Sequence, residues 1–168
     1  LLLLRPLTKG SGMADPSPKR PQAAPLGELF YWPIWGRGES IRLTLAAANA
    51  TWTERRIEYA AHKKLAGTEE VPYGQWPVWT YKTAAGATKH LAQSDAILRL
   101  VGRQVGMYGA DADEDARIDE VMGGVESLRQ KYVSLIYGDK FDDDVKREYE
   151  KAHVDPAHVV VLTSAAAY

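Results

Sequence analysis

The chain of 168 residues contains no cysteine. Without a thiol it cannot form disulfide bonds, bind a metal through thiolates or use a cysteine nucleophile, which excludes a cysteine-based thiol oxidoreductase. The formal net charge is only −1, so bulk attraction to nucleic acid or to an anionic membrane is not predicted. No apolar run approaches the length of a membrane span, and no membrane partner is expected.

The first part of the chain predicts little ordered structure. Residues 1–26 are rich in leucine, proline, alanine and lysine, and we expect a disordered leader there. Met13 opens MADPSPKRPQAAP, which is typical of a natural start, so residues 1–12 are interpreted as not native to the mature protein. The pattern resembles no signal peptide, because the positive charge follows the leucines instead of preceding them.

Residues 28–105 predict alternating short strands and helices. ELFYWPI is an aromatic strand, SIRLTLAAANA an amphipathic helix that Ser40 could cap, and TWTERRIEYA a second strand. PVWTYK and ATKHLAQ flank a turn at Gly86 as a hairpin, and SDAILRLVGRQVG is a further amphipathic helix. The order β-α-β-(loop)-β-β-α predicts an α/β thioredoxin-like fold.

The rest of the chain predicts helices alone. Asp111 or Asp113 can cap a long helix that reaches about Tyr137, and its apolar residues form one stripe at three- to four-residue spacing. Asp142 and its two acidic neighbours predict the start of another helix. His153, Asp155 and His158 resemble a metal cluster, but one short segment rarely makes a site, so no metal is predicted.

Four blocks of sequence resemble the cytosolic glutathione transferases, the pi class before the sigma, mu and alpha classes. They are FYWPIWGRGESIR, PYGQWPVW, LAQSDAILRLVGRQVGMYG and VESLRQKYVSLIY. The resemblance implies a thioredoxin-like glutathione-binding domain at 27–106 and a partial all-helical domain at 111–153. Residues 154–168 are an unmatched tail, and the helical domain is expected to be truncated.

The resemblance implies that Tyr31, at the end of the first strand, is catalytic and that Arg37 lies near the sulfur of glutathione. A phenol hydroxyl that donates to the sulfur stabilises the thiolate, which is the nucleophile. Taken without the resemblance, Tyr31 is better interpreted as a core aromatic of an edge strand than as a catalytic residue. The spacing of GRGESIR after the tyrosine favours the catalytic interpretation.

The same resemblance implies the residues that bind glutathione. Gln93, Ser94 and Asp95 open a helix whose amide groups and serine hydroxyl hold the γ-glutamyl carboxylate, although Ser94 can also cap the helix. Gln75 contacts the glutamyl part, and the backbone of Trp76 pairs with the cysteinyl part. Pro77 then corresponds to the cis-proline of the thioredoxin fold, so the Trp76–Pro77 bond is predicted to be cis.

Three positions depart from the pi-class pattern. His62 and Thr68 stand where that class has ligands of the glycine carboxylate, and Lys63 and Lys64 are close enough to replace them. Ser127 stands where the family places an aspartate that reaches into the neighbouring subunit. Glu126 precedes it and is expected to point elsewhere on the helix.

The resemblance also implies an electrophile pocket formed by Trp32, Ile34 and Tyr137, and a homodimer into which Tyr73 inserts as an aromatic key. Each of these residues could instead be an ordinary core or loop aromatic or aliphatic residue.

The implied function is that of a cytoplasmic glutathione transferase, which conjugates glutathione, as co-substrate and without a cofactor, to hydrophobic electrophiles in detoxification. Two alternatives stay open: a non-catalytic binding or scaffold protein of the same fold, and a glutathione-dependent isomerase.

Overall fold

The computed structural model describes residues 24–138 and 141–154. Most of the predicted leader and almost all of the predicted tail, with Asp155 and His158, lie outside the described residues.

A mixed four-stranded sheet forms the first part of the described chain. Its strands are β1 (Glu28–Tyr31), β2 (Thr53–Arg56), β3 (Val78–Lys82) and β4 (Thr88–Ala92). They lie in the order β2-β1-β3-β4. β1 is parallel to β2 and antiparallel to β3, which forms an antiparallel hairpin with β4. The parallel β1–β2 pair requires the crossover helix that the sequence predicts between them.

Five α-helices complete the described elements. They are α1 (Glu39–Ala47), α2 (His62–Leu65), α3 (Ser94–Gln104), α4 (Ala112–Ile136) and α5 (Asp143–His153). A single 3₁₀ turn, Pro72–Gly74, precedes β3. The predicted thioredoxin-like α/β fold followed by helices is confirmed, including the β3–β4 turn, where Gly86 has a φ of 82° that favours glycine.

The core lies on both faces of this sheet. Helices α1 and α3 cover one face, and their buried side chains pack with those of β1 and β3. This cluster consists of Leu29, Tyr31, Ile41, Leu45, Trp79, Ile97 and Val101. The cluster on the other face consists of Phe30, Ile57, Val71, Val78 and Ala92. Residues from β1 thus contribute to both clusters, which fixes the strand that carries Tyr31 firmly in the core.

The helical part begins where the acidic residues predict. The Asp111 carboxylate accepts from the backbone N–H groups of Asp113 (3.0 Å) and Glu114 (2.9 Å), which makes Asp111 the N-cap of α4. Asp142 caps α5 in the same way. No residue of α4 is fully buried, so its predicted apolar stripe is at most partly covered by the described residues. At α1 the predicted cap is wrong, because Gly38 and not Ser40 precedes the first turn.

Candidate functional site

Tyr31 is the last residue of β1, and its side chain packs against the loop that leads into α1. Its side chain is buried, and its hydroxyl oxygen accepts a hydrogen bond from the backbone N–H of Arg37 at 2.9 Å. A phenol oxygen can accept two hydrogen bonds and donate one. The Arg37 bond occupies one acceptor position and leaves the O–H of Tyr31 able to donate to a ligand.

The two glycines beside Arg37 allow the loop to approach the Tyr31 ring. A Cβ atom at Gly36 would lie 2.5 Å from the Tyr31 hydroxyl oxygen, and one at Gly38 would lie 2.4 Å from Cδ1 of the ring. Neither distance is sterically possible for a rigid side chain. The GRG segment is therefore required by close contact between backbone and ring, and no phosphate-binding role is needed to explain it.

The side chain of Arg37 connects this loop to α4. Its guanidinium donates to both carboxylate oxygens of Glu126, at 2.9 and 2.7 Å. This bidentate pair raises the pKa of Arg37 and lowers the pKa of Glu126, so both groups stay charged. As its position one residue before Ser127 implies, Glu126 points in a different direction from Ser127. It faces the loop, whereas Ser127 lies about 100° further round the helix and donates to the Gly123 carbonyl.

Next to this pair lies a cavity of about 490 Å³. Its lining is Arg37, Gln75, Trp76, Gln93, Ser94, Asp95, Glu126 and Gln130. All but the last two were predicted from the sequence as candidate site residues. Arg37 belongs to the cavity wall and also contacts Tyr31, which is itself not part of the lining.

The N-terminus of α3 lies at one side of this cavity, where Gln93, Ser94 and Asp95 belong to the lining. Gln93 is the N-cap, with φ 73° and ψ 110°, and no side chain caps the helix. The prediction that Ser94 caps α3 is therefore wrong, because Ser94 is already the first helical residue. Gln93 Nε2 donates instead to Gln75 Oε1 at 2.8 Å. Amides left without a side-chain cap favour an anionic group at this end of the helix.

Trp76 belongs to the cavity lining, and Pro77 follows it at the entry to β3. The bond between them is cis, as predicted, and Pro77 is fully buried. The Trp76 ring meets Phe30 and Trp32 edge-on, with ring centroids 6.1 Å apart in both pairs. These contacts fix the side chain against the core of the sheet.

The predicted ligands of the glycine carboxylate lie apart from the cavity lining. Lys63 and Lys64 are exposed on the single turn of α2. His62, just before them, packs its ring against Trp32 and Trp76, with centroids 5.6 and 6.4 Å away. Of these three residues, His62 is thus the one whose contacts reach the wall of the cavity.

The residues predicted for the electrophile pocket and the dimer key differ widely in exposure. Trp32 is half-buried among aromatic rings, whereas Ile34 and Tyr137 are 56% and 82% exposed. Tyr73 is 79% exposed in the turn before β3. Its outward position is what an inserting aromatic key requires.

Two cavity residues were missed by the sequence interpretation. Gln130 lies four residues after Glu126 and donates to it at 2.6 Å. That spacing puts both side chains on one helical face, a signal present in the sequence. Which face of α4 meets the sheet domain depends on how the helix packs, and the predicted apolar stripe, none of which is fully buried, does not fix this.

Within residues 24–138 and 141–154, no group of three or more metal-ligating side chains comes together. In the same residues, no helix combines the length and the apolar character that crossing a membrane requires.

Similar proteins are found by sequence and by structure, but not by family model. No model of a known protein family matches the chain. Glutathione S-transferase P of Bos taurus is 37% identical over 131 residues, which cover 76% of this chain and 59% of the relative. The same enzyme of Capra hircus is 39% identical over 109 residues, covering 65% and 50%. The chain therefore spans about half the length of the curated relatives it matches.

Solved structures agree with these relatives. A sigma class glutathione transferase of Fasciola hepatica superimposes with a TM-score of 0.68 at 23% identity, covering 82% of this chain and 65% of that one, which shows the shared fold. A pi-class glutathione S-transferase of Onchocerca volvulus gives 0.60 at 29% identity, covering 76% and 54%. A protein of Necator americanus described as a monomeric glutathione S-transferase gives 0.62 at 24% identity, covering 75% and 61%. The resemblance to pi-like glutathione transferases is confirmed.

Proposed function

We propose that this chain, as the glutathione-binding part of a pi-like glutathione transferase, promotes the addition of the glutathione thiol to hydrophobic electrophiles. The observation that carries the proposal is the cavity beside Tyr31. It gathers Arg37, Gln75, Trp76 and the start of α3 in one place, and Arg37 also donates to the Tyr31 hydroxyl.

The chemical task is to ionise a thiol near neutral pH. A free thiol with a pKa of about 8.5 is only about 3% thiolate at pH 7. Lowering that pKa by about two units requires about 2.7 kcal/mol of preferential stabilisation, and one hydrogen bond to a charged group supplies about 1.5–3 kcal/mol. The O–H of Tyr31 is assigned this bond, because the Arg37 N–H already occupies an acceptor position of its oxygen.

In the proposed reaction the thiol proton leaves to water and the Tyr31 hydroxyl donates to the sulfur anion. The thiolate then attacks an electrophilic carbon, and a C–S bond forms. With a chloroarene the chloride departs with the electron pair of the C–Cl bond. The protein contributes positioning and electrostatic stabilisation, and no cofactor takes part.

The glutamyl, cysteinyl and glycine parts of glutathione are each assigned to different residues in or near the cavity. The uncapped N-terminus of α3 with Ser94 takes the γ-glutamyl carboxylate, and Asp95 takes the ammonium beside it. Gln75 and Gln93 contact the glutamyl part, and the Trp76 backbone next to Pro77 pairs with the cysteinyl part. Lys63 and Lys64 are assigned to the glycine carboxylate, since long cationic side chains can extend to a carboxylate.

The electrophile is assigned to the apolar side of the β1–α1 loop, with Trp32, Ile34 and Tyr137 as its contacts. Ile34 supports this assignment, because its Cδ1 and the Tyr31 hydroxyl both lie next to the same glycine, Gly36. Detoxification is proposed as the role because the proposed substrates are hydrophobic electrophiles as a class. The resemblance to cytosolic enzymes is the basis for proposing a cytoplasmic location.

A homodimer is proposed as the working assembly, with Tyr73 inserted into the partner. The exposure of this side chain supports the proposal. Both oligomeric states are open for this fold, because one similar structure is described as monomeric.

The function is tested by the substitution Tyr31→Phe, with Tyr81→Phe as the matched control. Tyr81 is half-buried on β3, and its hydroxyl makes no hydrogen bond among the described residues. Tyr31→Phe is expected to remove the thiolate absorbance of bound glutathione and to lower kcat with a chloro-nitroarene by about a hundredfold. Binding of S-methylglutathione should be unchanged, and the control should match the wild type in every measurement.

The same measurements separate the alternatives. Binding of glutathione without thiolate absorbance or turnover in the wild type would show a non-catalytic binding protein. Thiolate formation with turnover only of isomerisable substrates would show an isomerase. Equal rates in the wild type and Tyr31→Phe would reject the role of Tyr31, and no binding of glutathione at all would reject the proposed function.

A further inference from the structure

Arg42, in the second turn of α1, uses all five of its N–H donors. Nη1 donates to the carbonyl oxygen of Ile34 (2.8 Å) and to Glu39 (2.9 Å). Nη2 donates to the carbonyl oxygen of Trp32 (3.1 Å) and to Glu54 (2.6 Å), and Nε donates to Glu54 at 3.1 Å. A guanidinium has no further donors, so this side chain has none left for a bound ligand.

These bonds join three elements at one point. The two carbonyl groups belong to the loop between β1 and α1, Glu39 belongs to α1, and Glu54 belongs to β2. The side chain of Arg42 is only 17% exposed, and its guanidinium carbon lies 5.7 Å from the centroid of the Tyr31 ring. Bonds to two carboxylates and two carbonyls leave this guanidinium little freedom to move.

The loop that Arg42 holds is the one that contacts the Tyr31 hydroxyl. Trp32 and Ile34 begin the loop, and Arg37, whose N–H donates to Tyr31, follows three residues after Ile34. The far end of the loop is held separately by the pair between Arg37 and Glu126. The loop is thus anchored by side-chain bonds on both sides of Gly36.

Arg42 does not belong to the proposed glutathione cavity. It lines a different groove of about 260 Å³ with Pro33, Ile34, Trp35, Glu39, Glu54 and Arg56. Its charge faces two carboxylates at hydrogen-bond distance, which offset its electrostatic effect on the tyrosine. Any influence on the chemistry must therefore act through the geometry of the loop.

We propose that Arg42 is a positioning residue: it holds the first half of the β1–α1 loop so that the Arg37 N–H stays directed at the Tyr31 hydroxyl. The consequence for the thiolate rests on the proposed function. The positioning itself is a property of the free protein and can be measured without glutathione.

The test uses Arg42→Lys in the full chain. Lysine keeps the charge, but its compact ammonium cannot span two carbonyls and two carboxylates as the planar guanidinium does. Arg56→Lys is the matched control. Arg56 lines the same groove, is exposed and makes no ion pair within residues 24–138 and 141–154.

The first measurement is amide hydrogen exchange at Arg37 by NMR. Arg42→Lys is expected to speed exchange at this amide by about tenfold, with the amides in the middle of β1 unchanged. Arg56→Lys is expected to leave the Arg37 amide as in the wild type. An unchanged rate in Arg42→Lys, or an equal increase throughout β1 and α1, would overturn the proposal, since the latter reports only lost global stability.

The second measurement is the apparent pKa of the bound glutathione thiol, followed by thiolate absorbance. Arg42→Lys is expected to raise this pKa by about half a unit and to lower kcat at neutral pH, with KM for glutathione changed by less than about twofold. Faster exchange at Arg37 with an unchanged thiol pKa would overturn the link to chemistry.

A wild type that binds no glutathione and a variant that does not fold each leave the positioning proposal testable. If the wild type binds no glutathione, the proposed function fails, and the exchange rate still decides whether Arg42 positions the loop. If Arg42→Lys does not fold, Glu54→Gln weakens the same guanidinium contact with a smaller change and is measured in the same two ways. Unchanged exchange at Arg37 in Glu54→Gln would then count against the proposal.

Discussion

At the scale of single residues, Gly36 and Gly38 are positions where the fold leaves no room for a side chain. Each lacks a side chain where a Cβ atom would meet the Tyr31 ring or hydroxyl at 2.5 Å or less. Tyr31 cannot move away easily, because it is buried in the core cluster between β1 and α1. Substitution must therefore displace either the ring or the loop.

We predict that Gly36→Ala and Gly38→Ala each lower the free energy of unfolding by about 1–3 kcal/mol, as overpacked core positions do. Both should also weaken the thiolate absorbance of bound glutathione. Urea denaturation and ultraviolet titration measure the two effects. The control is Gly123→Ala on α4, where a Cβ meets open space and should stabilise the helix by about 0.5–1 kcal/mol. Wild-type stability in Gly36→Ala would contradict the prediction.

The sequence predicted most of the cavity because its residues belong to compact motifs. Gln93, Ser94 and Asp95 are adjacent, and Gln75 and Trp76 immediately precede the cis-proline that opens β3. The pairing of Glu126 with Arg37 was not predicted, because it depends on which face of α4 meets the β1–α1 loop. The rotation of α4 about its axis depends on tertiary contacts, such as the pair with Arg37, that no local pattern encodes.

At the scale of elements, the Arg37–Glu126 pair joins the β1–α1 loop to α4. The pKa of Glu126 is lowered in the folded protein, chiefly by its hydrogen bonds from Arg37. A depressed carboxyl pKa contributes stability above the pKa of the unfolded chain, and this contribution is lost as the pH falls through the folded value. The pair should thus stabilise the protein at neutral pH and not in strong acid.

We predict that Glu126→Gln lowers the free energy of unfolding by about 1 kcal/mol at neutral pH, a modest value because the pair is partly exposed. The difference from the wild type should shrink as the pH falls below the ordinary carboxyl range. Urea denaturation across pH measures this. Glu120→Gln, on the same helix and paired only with Arg117 among the described residues, is the control and should show little change. A difference that persists unchanged in acid would contradict the electrostatic origin.

Element order was more predictable than element boundaries. The order of elements along the chain and the β3–β4 hairpin followed from the motif order and from Gly86, whose positive φ suits glycine. Both helix caps assigned to serine were wrong, because the chain enters α1 through Gly38 and α3 through Gln93. The helix starts predicted at Asp111 and Asp142 agree with the structure, because each aspartate accepts hydrogen bonds from backbone N–H groups of the first turn.

At the scale of the whole molecule, exposed side chains of the helical part and of the turn before β3 are available for association between copies of the chain. No side chain of α4 or α5 is fully buried among the described residues, and Tyr73 extends from the turn before β3. If Tyr73 is the key of the proposed homodimer, it should behave as a binding hot spot. A large aromatic that fills a partner pocket contributes disproportionately to affinity.

We predict that Tyr73→Ser raises the dimer dissociation constant by about thirtyfold or more, as measured by analytical ultracentrifugation over a range of concentrations. Tyr137→Ser serves as the control, because Tyr137 is 82% exposed and comparable in area. A wild-type chain that remains monomeric at every concentration would reject the dimer. A dimer equally stable in both variants would reject Tyr73 as its key.

The strand order has a consequence for solubility. Within the described residues, β2 and β4 are each paired on one side only, so both present unpaired backbone groups to solvent. Such edges can recruit strands from other molecules, and charged side chains discourage this. All four residues of β2, Thr53–Arg56, are polar or charged, and β4 begins with Thr88, Lys89 and His90. The same residues that complete the sheet thus oppose its extension into aggregates.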